Sequence, residues 1–194
     1  MSDYVVGITG ASGSIYGVRL IQELTIRKYH VDIVITQAGK KVMAEELRVA
    51  NVREFEKKFF IKHKDRIKIW GNDDYKAPFM SGSNAPEAVV IIPCSVGKLA
   101  AIANGISSNL LERMADVALK EKKQLILVVR ETPLSLIHLE NMVKVARAGA
   151  VVLPAMPAFY HHPRTIDDMV SFIVGKVLNI LRIEHKLFKG WRKG

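Results

Sequence analysis

Short apolar runs alternate along the chain with amphipathic stretches of helical period. The runs are rich in Val and Ile, which is typical of strands buried on both faces. The apolar runs predict strands at Tyr4–Thr9, Val31–Thr36, Ile67–Trp70, Ala88–Pro93, Gln124–Val129 and Val151–Leu153. The amphipathic stretches predict helices near Ser14–Lys28, Ala38–Leu47, Gly97–Ala103, Asn109–Glu121, Leu136–Ala148 and Ile166–Leu181. The charged stretch from Arg53 to Lys68 resembles a solvated helix and loop. The alternation predicts an α/β fold with a doubly wound, mostly parallel sheet covered on both faces.

The first strand feeds a helix through a loop of small residues, TGASGSIYG. Gly10 and Gly13 allow a tight turn, and the free N–H groups of the following helix favour an anion, most naturally a phosphate. The glycine spacing differs from the dinucleotide fingerprint, and the second strand ends at Thr36 without the acidic ribose-binding residue. These features favour a mononucleotide over a dinucleotide. An ordinary tight turn remains the alternative.

Polar residues follow the other strands too, and the carboxyl ends of parallel strands share one edge of the sheet. Ser95, Val96, Gly97 and Lys98 begin a helix after the third long apolar run, so they form a second candidate anion site, although Ser95 alone would simply cap that helix. The only thiol, Cys94, precedes them and is interpreted as packed and inert.

Arg130 and Glu131 follow the next strand. An Arg there can clamp a phosphate or polarise a ring carbonyl, and a Glu can move a proton, while a rim salt bridge is the alternative. Glu46 is a candidate second carboxylate.

Two further motifs carry candidate chemistry. Arg113 and Lys120 lie two helical turns apart on nearly one face, which suits a phosphate leaving group and equally a solvated face. PAMPAFYHHP gives an aromatic wall with the hydroxyl of Tyr160 beside it. Its adjacent histidines would not share a coordination sphere, and no spaced ligand set completes them, so we expect no metal.

Composition fits one domain over residues 1–194, with a basic C-terminal tail from about residue 182. The chain has 194 residues, 49% of them hydrophobic, which suffices for a substantial core. A single cysteine and the lack of a basic leader or membrane-length apolar run predict a cytoplasmic protein. The net charge of +10 is spread without aromatic interleaving, so anionic small ligands are favoured over nucleic acid.

Six motifs together resemble the UbiX-type flavin prenyltransferases, historically described as hydroxybenzoate or phenylacrylic acid decarboxylases. They are TGASGSIYG, SGSNAP, PCSVG, NLLERMADVALKE, RETPLSLIHLENM and PAMPAFYHHP, in the family's order from Thr9 to about Trp191. The resemblance implies a flavodoxin-like or Rossmann-like three-layer subunit that binds FMN at subunit contacts, commonly in a dodecamer. It implies transfer of a dimethylallyl group from dimethylallyl monophosphate to N5 and C6 of reduced FMN. The prenylated FMN would serve a UbiD-type decarboxylase, as in ubiquinone biosynthesis.

The resemblance also implies roles for individual residues. The residues that would bind FMN are Gly10, Ala11, Ser12, Thr36, Ser95, Val96, Gly97, Lys98 and Arg130. Those that would bind the prenyl phosphate are Arg113, Lys120, Tyr160 and Lys176. Proton transfer would involve Ser12, Glu46 and Glu131. Tyr160 and Trp191 are candidate members of the aromatic wall. Lys176 departs from the Arg common in the family, so a point charge replaces a bidentate clamp. A non-enzymatic FMN carrier and an FMN-dependent cysteine-type decarboxylase are the alternative functions.

Overall fold

Within residues 2–190, which the computed structural model describes, all six predicted strands form. They are β1 (Tyr4–Ile8), β2 (Val31–Ile35), β3 (Ile67–Gly71), β4 (Ala88–Cys94), β5 (Gln124–Val129) and β6 (Val151–Val152). The helices are α1 (Ser14–Ile26), α2 (Gln37–Leu47), α3 (Val52–Phe60), α4 (Val96–Ala103), α5 (Leu110–Lys120), α6 (Leu136–Arg147) and α7 (Ile166–Ile180). Trp191, a predicted wall residue, lies outside the described residues.

The strands form one parallel sheet in the order β3-β2-β1-β4-β5-β6. This is the order of a Rossmann-type doubly wound sheet, with the direction of winding reversing between β1 and β4. The predicted fold class is therefore confirmed.

Side chains alternate between the two faces of the sheet and build two separate cores. On β1, Val6 and Ile8 pack with residues of α1, α3 and α7, whereas Val5 packs with residues of α4 and α5 on the opposite face. Gly7 belongs to the second face, where an added Cβ would stand 2.7 Å from the Met114 side chain. The three layers expected from continuous apolar strands are thus present.

The charged stretch after α2 contains the helix α3, as its spacing suggested. Asn51 accepts a hydrogen bond from the Glu54 backbone N–H, and Glu54 accepts one from the Ala50 N–H, so the helix start is capped from both sides. Phe55 and Phe60 are buried on its inner face. Lys57 and Lys58 therefore lie on the outside of an ordinary amphipathic helix, and the lysines that follow the helix are also exposed.

Two further features of the fold concern metal ions and membranes. No group of His, Cys, Asp and Glu suited to a metal ion occurs among residues 2–190. Across the same residues, every helix is too short or too polar to cross a membrane.

Candidate functional site

The candidate site lies at the carboxyl ends of β1 and β4, where the winding reverses. The loop after β1 leads into α1 on one face of the sheet, and the loop after β4 leads into α4 on the other face. Two helices that diverge from adjacent strand ends leave a crevice between them. Both helices begin at this crevice, so both direct their first N–H groups toward it.

The Thr9 hydroxyl joins the two loops at the base of the crevice. It donates to the Pro93 carbonyl at 2.7 Å and accepts from the Ser95 backbone N–H at 2.8 Å. Thr9 is completely buried. The sequence predicts Thr9 only as a strand residue, because nothing in the local sequence reveals a partner 84 positions away.

Replacing Thr9 by Val keeps the shape, deprives the Ser95 N–H of its hydroxyl partner, and leaves the Pro93 carbonyl with only the 3.3 Å bond from the Thr9 backbone N–H. We expect Thr9→Val to lower the free energy of unfolding by about 2 kcal/mol, measured by urea denaturation. Thr25→Val is the matched control, since the buried Thr25 hydroxyl bonds only to carbonyls of its own helix. Its expected change is within about 1 kcal/mol. Equal destabilisation by the two variants would contradict the bridging role of Thr9.

An anion does occupy the start of α1, and it is the chain's own Glu46. The Glu46 carboxylate accepts hydrogen bonds from the Gly13 N–H at 2.9 Å and the Ser14 N–H at 2.8 Å. Burial raises the pKa of Glu46, but hydrogen bonds from the Ser12 side chain and from these N–H groups lower it further, so the net pKa is below the ordinary value. A carboxylate that is ionised at neutral pH thus stands beside the exposed Ser12.

Small residues shape the walls of the crevice. A Cβ at Gly10 would lie 2.6 Å from the Ala38 Cβ, so only glycine lets the first loop pack against α2. A Cβ at Gly97 would meet nothing within 4 Å, so the start of α4 faces open space. The backbone at Gly97 is therefore open to a ligand, and the second anion site stays a prediction.

The hydroxyls of Ser95 and Thr36 cap helices. Ser95 Oγ accepts from the Lys98 N–H at 3.4 Å, and Thr36 Oγ1 accepts from the Gly39 N–H at 3.0 Å. The alternative role predicted for Ser95 is thus present. Because each oxygen accepts the capping bond, each O–H remains able to donate to a ligand at this edge.

The Lys98 side chain pairs with a carboxylate of the same chain and so is not available to a ligand. Its Nζ lies 2.6 Å from Oε1 of the buried Glu112 on α5. Burial raises the pKa of Glu112, and hydrogen bonds from Lys98, Asn109 and Ser108 lower it to a net value below the ordinary one. The part of Lys98 that can face the crevice is its backbone.

Arg130 brings a buried donor to the same edge from the end of β5. Its backbone N–H donates to the Cys94 carbonyl at 3.2 Å, while its Nε is shielded from solvent and makes no hydrogen bond within the described chain. Burial raises the pKa of the nearby Tyr16; the Arg130 charge opposes that shift and the Glu46 charge adds to it. An orphaned guanidinium N–H beside a carboxylate and a phenol suits a ligand oxygen.

Glu131 lies next to Arg130 and is half-buried. Its carboxylate accepts from the Thr132 backbone N–H at 3.1 Å. The predicted rim salt bridge is not among the ion pairs of residues 2–190. Cys94 is fully buried, and burial raises its pKa to about 12, so the thiol is inert as predicted.

The predicted phosphate-binding cations lie away from this crevice in the single chain. The Arg113 guanidinium donates to the Met80 carbonyl and pairs with Asp116 at 2.8 Å. Lys120 ends α5, four residues before β5 begins, and therefore lies at the amino edge of the sheet. Lys176 is exposed on α7, about 15 Å along the helix from its start.

Comparison with known proteins shows to which family this chain belongs. A family model described as Flavoprotein matches residues 2–178. The chain is 50% identical to Flavin prenyltransferase UbiX of Halalkalibacterium halodurans over 190 residues, which are 97% of this chain and 92% of that relative. The chain belongs to the UbiX family of flavoproteins.

Solved UbiX-family structures share the whole fold. A UbiX crystal structure in complex with FMN and dimethylallyl pyrophosphate is 34% identical, with a TM-score of 0.90 over 98% of this chain and 97% of that one. A dodecameric FMN-dependent UbiX-like decarboxylase from Escherichia coli O157:H7 is 37% identical, with a TM-score of 0.86 over 97% of this chain and 98% of that one.

In this UbiX-family chain, the residues of the crevice have the chemistry needed to bind an FMN molecule. Within the part of the chain that the structure describes, Arg130 Nε is a buried donor without a partner, and the start of α4 opens onto space at Gly97. A flavin carries ring carbonyls and a phosphate, which are the acceptors that such donors bind. The residues present therefore match the chemistry of the cofactor.

Proposed function

We propose that this chain is a flavin prenyltransferase that transfers a dimethylallyl group from dimethylallyl monophosphate to N5 and C6 of reduced FMN. The observation that carries the proposal is the near full-length identity of 50% to a flavin prenyltransferase. The site supports it, because an ionised carboxylate at Glu46 and an orphaned guanidinium N–H at Arg130 both lie near Tyr16.

The flavin would be held by groups from several strand ends. The first loop, at Gly10, Ala11 and Ser12, forms one wall of the crevice. The Val96 and Gly97 N–H groups would bind anionic or carbonyl oxygens, since the N–H groups of Ser95 and Lys98 already bond to Thr9 and to the Ser95 hydroxyl. The Ser95 and Thr36 hydroxyls would donate to the ligand. Arg130 would direct its unpaired Nε–H to a flavin oxygen.

The acid–base part of the reaction would fall to Ser12, Glu46 and Glu131. Bound reduced FMN supplies the electron-rich ring that takes up the prenyl group. The Ser12 hydroxyl hydrogen-bonds to the Glu46 carboxylate, so the pair can pass a proton between a reacting atom and Glu46. Glu131, at the end of the neighbouring strand, would give a proton to the leaving phosphate and so offset its charge.

The phosphate cations would come from other copies of the chain. The α5 helix is about 16 Å long, and Lys120 lies at its far end from the crevice. Large apolar side chains are exposed around the carboxyl edge, at Leu136, Ile137, Met156, Phe159 and Ile166. Such a rim is typical of an interface, and one UbiX-like relative is dodecameric. In a homo-oligomer, Arg113, Lys120, Tyr160 and Lys176 of neighbouring copies would complete each crevice.

A composite site predicts complementation between two inactive variants. We expect Lys120→Ala and Glu46→Gln chains, each nearly inactive alone, to regain activity when they are co-expressed in one oligomer. Where Lys120 and Glu46 of a site come from different copies, about a quarter of the sites in an equal mixture carry both native residues. The prenylation rate of the purified mixed oligomer measures this recovery.

The matched control pairs Lys120→Ala with the Lys120→Ala/Glu46→Gln double variant, which restores no complete site. Recovery only in the first mixture supports the composite site. No recovery in a verified mixed oligomer would place both residues of a site on one chain.

The activity itself is tested by mass spectrometry of the flavin. Protein is incubated with reduced FMN and dimethylallyl monophosphate without oxygen, and a gain in flavin mass equal to one dimethylallyl group is expected. A parallel reaction with the pyrophosphate tests the strictness for the donor. An unchanged flavin mass with intact, FMN-loaded protein would overturn the proposal and favour the non-enzymatic carrier. The cysteine-type decarboxylase alternative predicts carbon dioxide release from a peptide that ends in cysteine.

The proposal also covers the use of the product and the cellular location of the protein. Prenylated FMN would serve a UbiD-type decarboxylase, as in ubiquinone biosynthesis. We infer a cytoplasmic location from the lone buried thiol, which suits a reducing compartment.

A further inference from the structure

The segment from Glu184 to Gly190 folds back along α7 and lies in a notch made by Gly175. A Cβ at Gly175 would stand 2.5 Å from the Phe188 ring and 2.7 Å from the His185 ring. Glycine in a helix interior is less favourable than alanine by about 1 kcal/mol. Gly175 therefore destabilises the helix slightly, but it lets the returning segment lie against the helix backbone at this position.

Specific hydrogen bonds fasten this segment. Arg27 Nε donates to the Glu184 carbonyl at 3.1 Å, which ties the segment to α1. His185 Nδ1 accepts from the Leu187 N–H at 3.2 Å, and its Nε2 lies 3.0 Å from Asn179 Oδ1 on α7. The imidazole therefore bridges a turn of the segment and the helix beneath it.

Phe188 extends from this segment into an aromatic cluster. Its ring centroid lies 4.8 Å from Phe172 and 6.2 Å from His161. His161 stacks on Phe172 with a centroid distance of 5.1 Å and an interplanar angle of 9°. Both His161 ring nitrogens are buried and lack hydrogen-bond partners among residues 2–190, so this imidazole acts as a flat packing surface.

The cluster ends at Tyr160, which meets Phe172 edge-on at 5.9 Å. Phe172 and Lys176 lie four residues apart on α7, so they share one face of the helix. Tyr160 and Lys176 are two of the four residues proposed above to hold the prenyl phosphate. The aromatic cluster thus links the returning segment to the surface that would grip the donor.

We propose that Phe188 is a positioning residue for the prenyl donor: by packing on Phe172 and His161, it fixes Tyr160 over the face of α7 that carries Lys176. The inference rests on the proposed function for the identity of the donor. It extends that function, because Phe188 is not among the residues proposed to contact either reactant. Its effect would be on donor binding and not on the flavin.

Phe188→Ala tests this role through the split between KM and kcat. We expect the KM for dimethylallyl monophosphate to rise about tenfold or more, with kcat within about threefold and FMN affinity unchanged. Phe188→Tyr, which keeps the ring, should restore the KM. Phe59→Ala is the matched control, because Phe59 packs in an aromatic group on α3 and should leave the KM unchanged.

Gly175→Ala supplies a second test if Phe188→Ala fails to fold. It displaces the segment while Phe188 remains present, so it should raise the KM in the same way. A KM within about twofold of wild type in a folded variant would overturn the role of Phe188. An equal KM rise in Phe59→Ala would do the same.

Titration of the FMN-bound protein with dimethylallyl monophosphate separates this inference from the proposed function. If wild-type protein binds the donor without prenylating FMN, the proposed function fails, and weaker donor binding by Phe188→Ala still supports the positioning role. If both proteins bind the donor equally, the positioning role fails even when wild-type protein is an active prenyltransferase.

Discussion

Glu46→Gln is expected to lower the rate of flavin prenylation about a hundredfold or more while the chain stays folded. The Glu46 carboxylate accepts from the Gly13 and Ser14 N–H groups and from the Ser12 side chain. A glutamine keeps the shape but has one acceptor oxygen and no negative charge, so it can neither satisfy all three donors nor receive a proton. Positioned acid–base groups contribute a hundredfold or more to the rates of many enzymes.

Single-turnover prenylation measures this loss, with circular dichroism to verify folding. Glu45→Gln removes the same charge from the exposed neighbour and should keep nearly the full rate. A Glu46→Gln rate within about fivefold of wild type would remove Glu46 from the proton transfer.

The pH profile adds a signature of the same group. Because the folded-state pKa of Glu46 is depressed, its stabilising contribution is fully present above the unfolded value and is lost as the pH falls through the folded value. The wild-type first loop should therefore loosen only at pH values below the ordinary 4.5 of a glutamate. Glu46→Gln should lack this acid transition in the amide signals of Gly13 and Ser14.

Arg130→Met is expected to weaken FMN binding by about ten- to a hundredfold. A hydrogen bond to a charged group contributes about 1.5–3 kcal/mol, which corresponds to this range of affinity. Methionine preserves the length and the apolar stem of the side chain but removes the buried Nε–H that lacks a partner within the described chain. Titration that follows flavin fluorescence measures the change.

The same substitution should leave the FMN-free protein as stable as wild type or more stable. An unpaired buried donor is unfavourable, so its removal relieves a desolvation cost when no ligand is bound. Arg147→Met, at the exposed end of α6, controls for loss of charge and should change neither property. Equal FMN affinity of Arg130→Met and wild type would exclude Arg130 from the flavin site.

The fold follows from the sequence because each of its elements is locally specified. Val-rich runs form the strands, and capping residues such as Asn51 and Asn109 mark helix starts. The rule that ligands lie at strand carboxyl ends also predicts, from the sequence alone, that the first loop, residues 95–98 and Arg130 share one edge of the sheet. The strands β1, β2 and β6 each end one residue before the predicted end, which leaves β6 only two residues long.

The site was less predictable wherever a side chain finds its partner far along the chain. Glu46 could be named as a carboxylate, but its bonds to Gly13 span 33 positions and depend on how α2 packs. The pairing of Lys98 with Glu112 depends in the same way on the contact of α4 with α5. Spacing within a helix placed Arg113 and Lys120 on one face without revealing which edge of the sheet each would reach.

The hydroxyl at position 9 gives a way to recognise working relatives of this chain. Because it both donates to one loop and accepts from the other, only serine among the remaining small side chains can reproduce both bonds. In a saturation library at this codon, selection for flavin retention should return threonine and serine alone. A search for distant sequences can therefore weigh this position as heavily as the glycines that follow it.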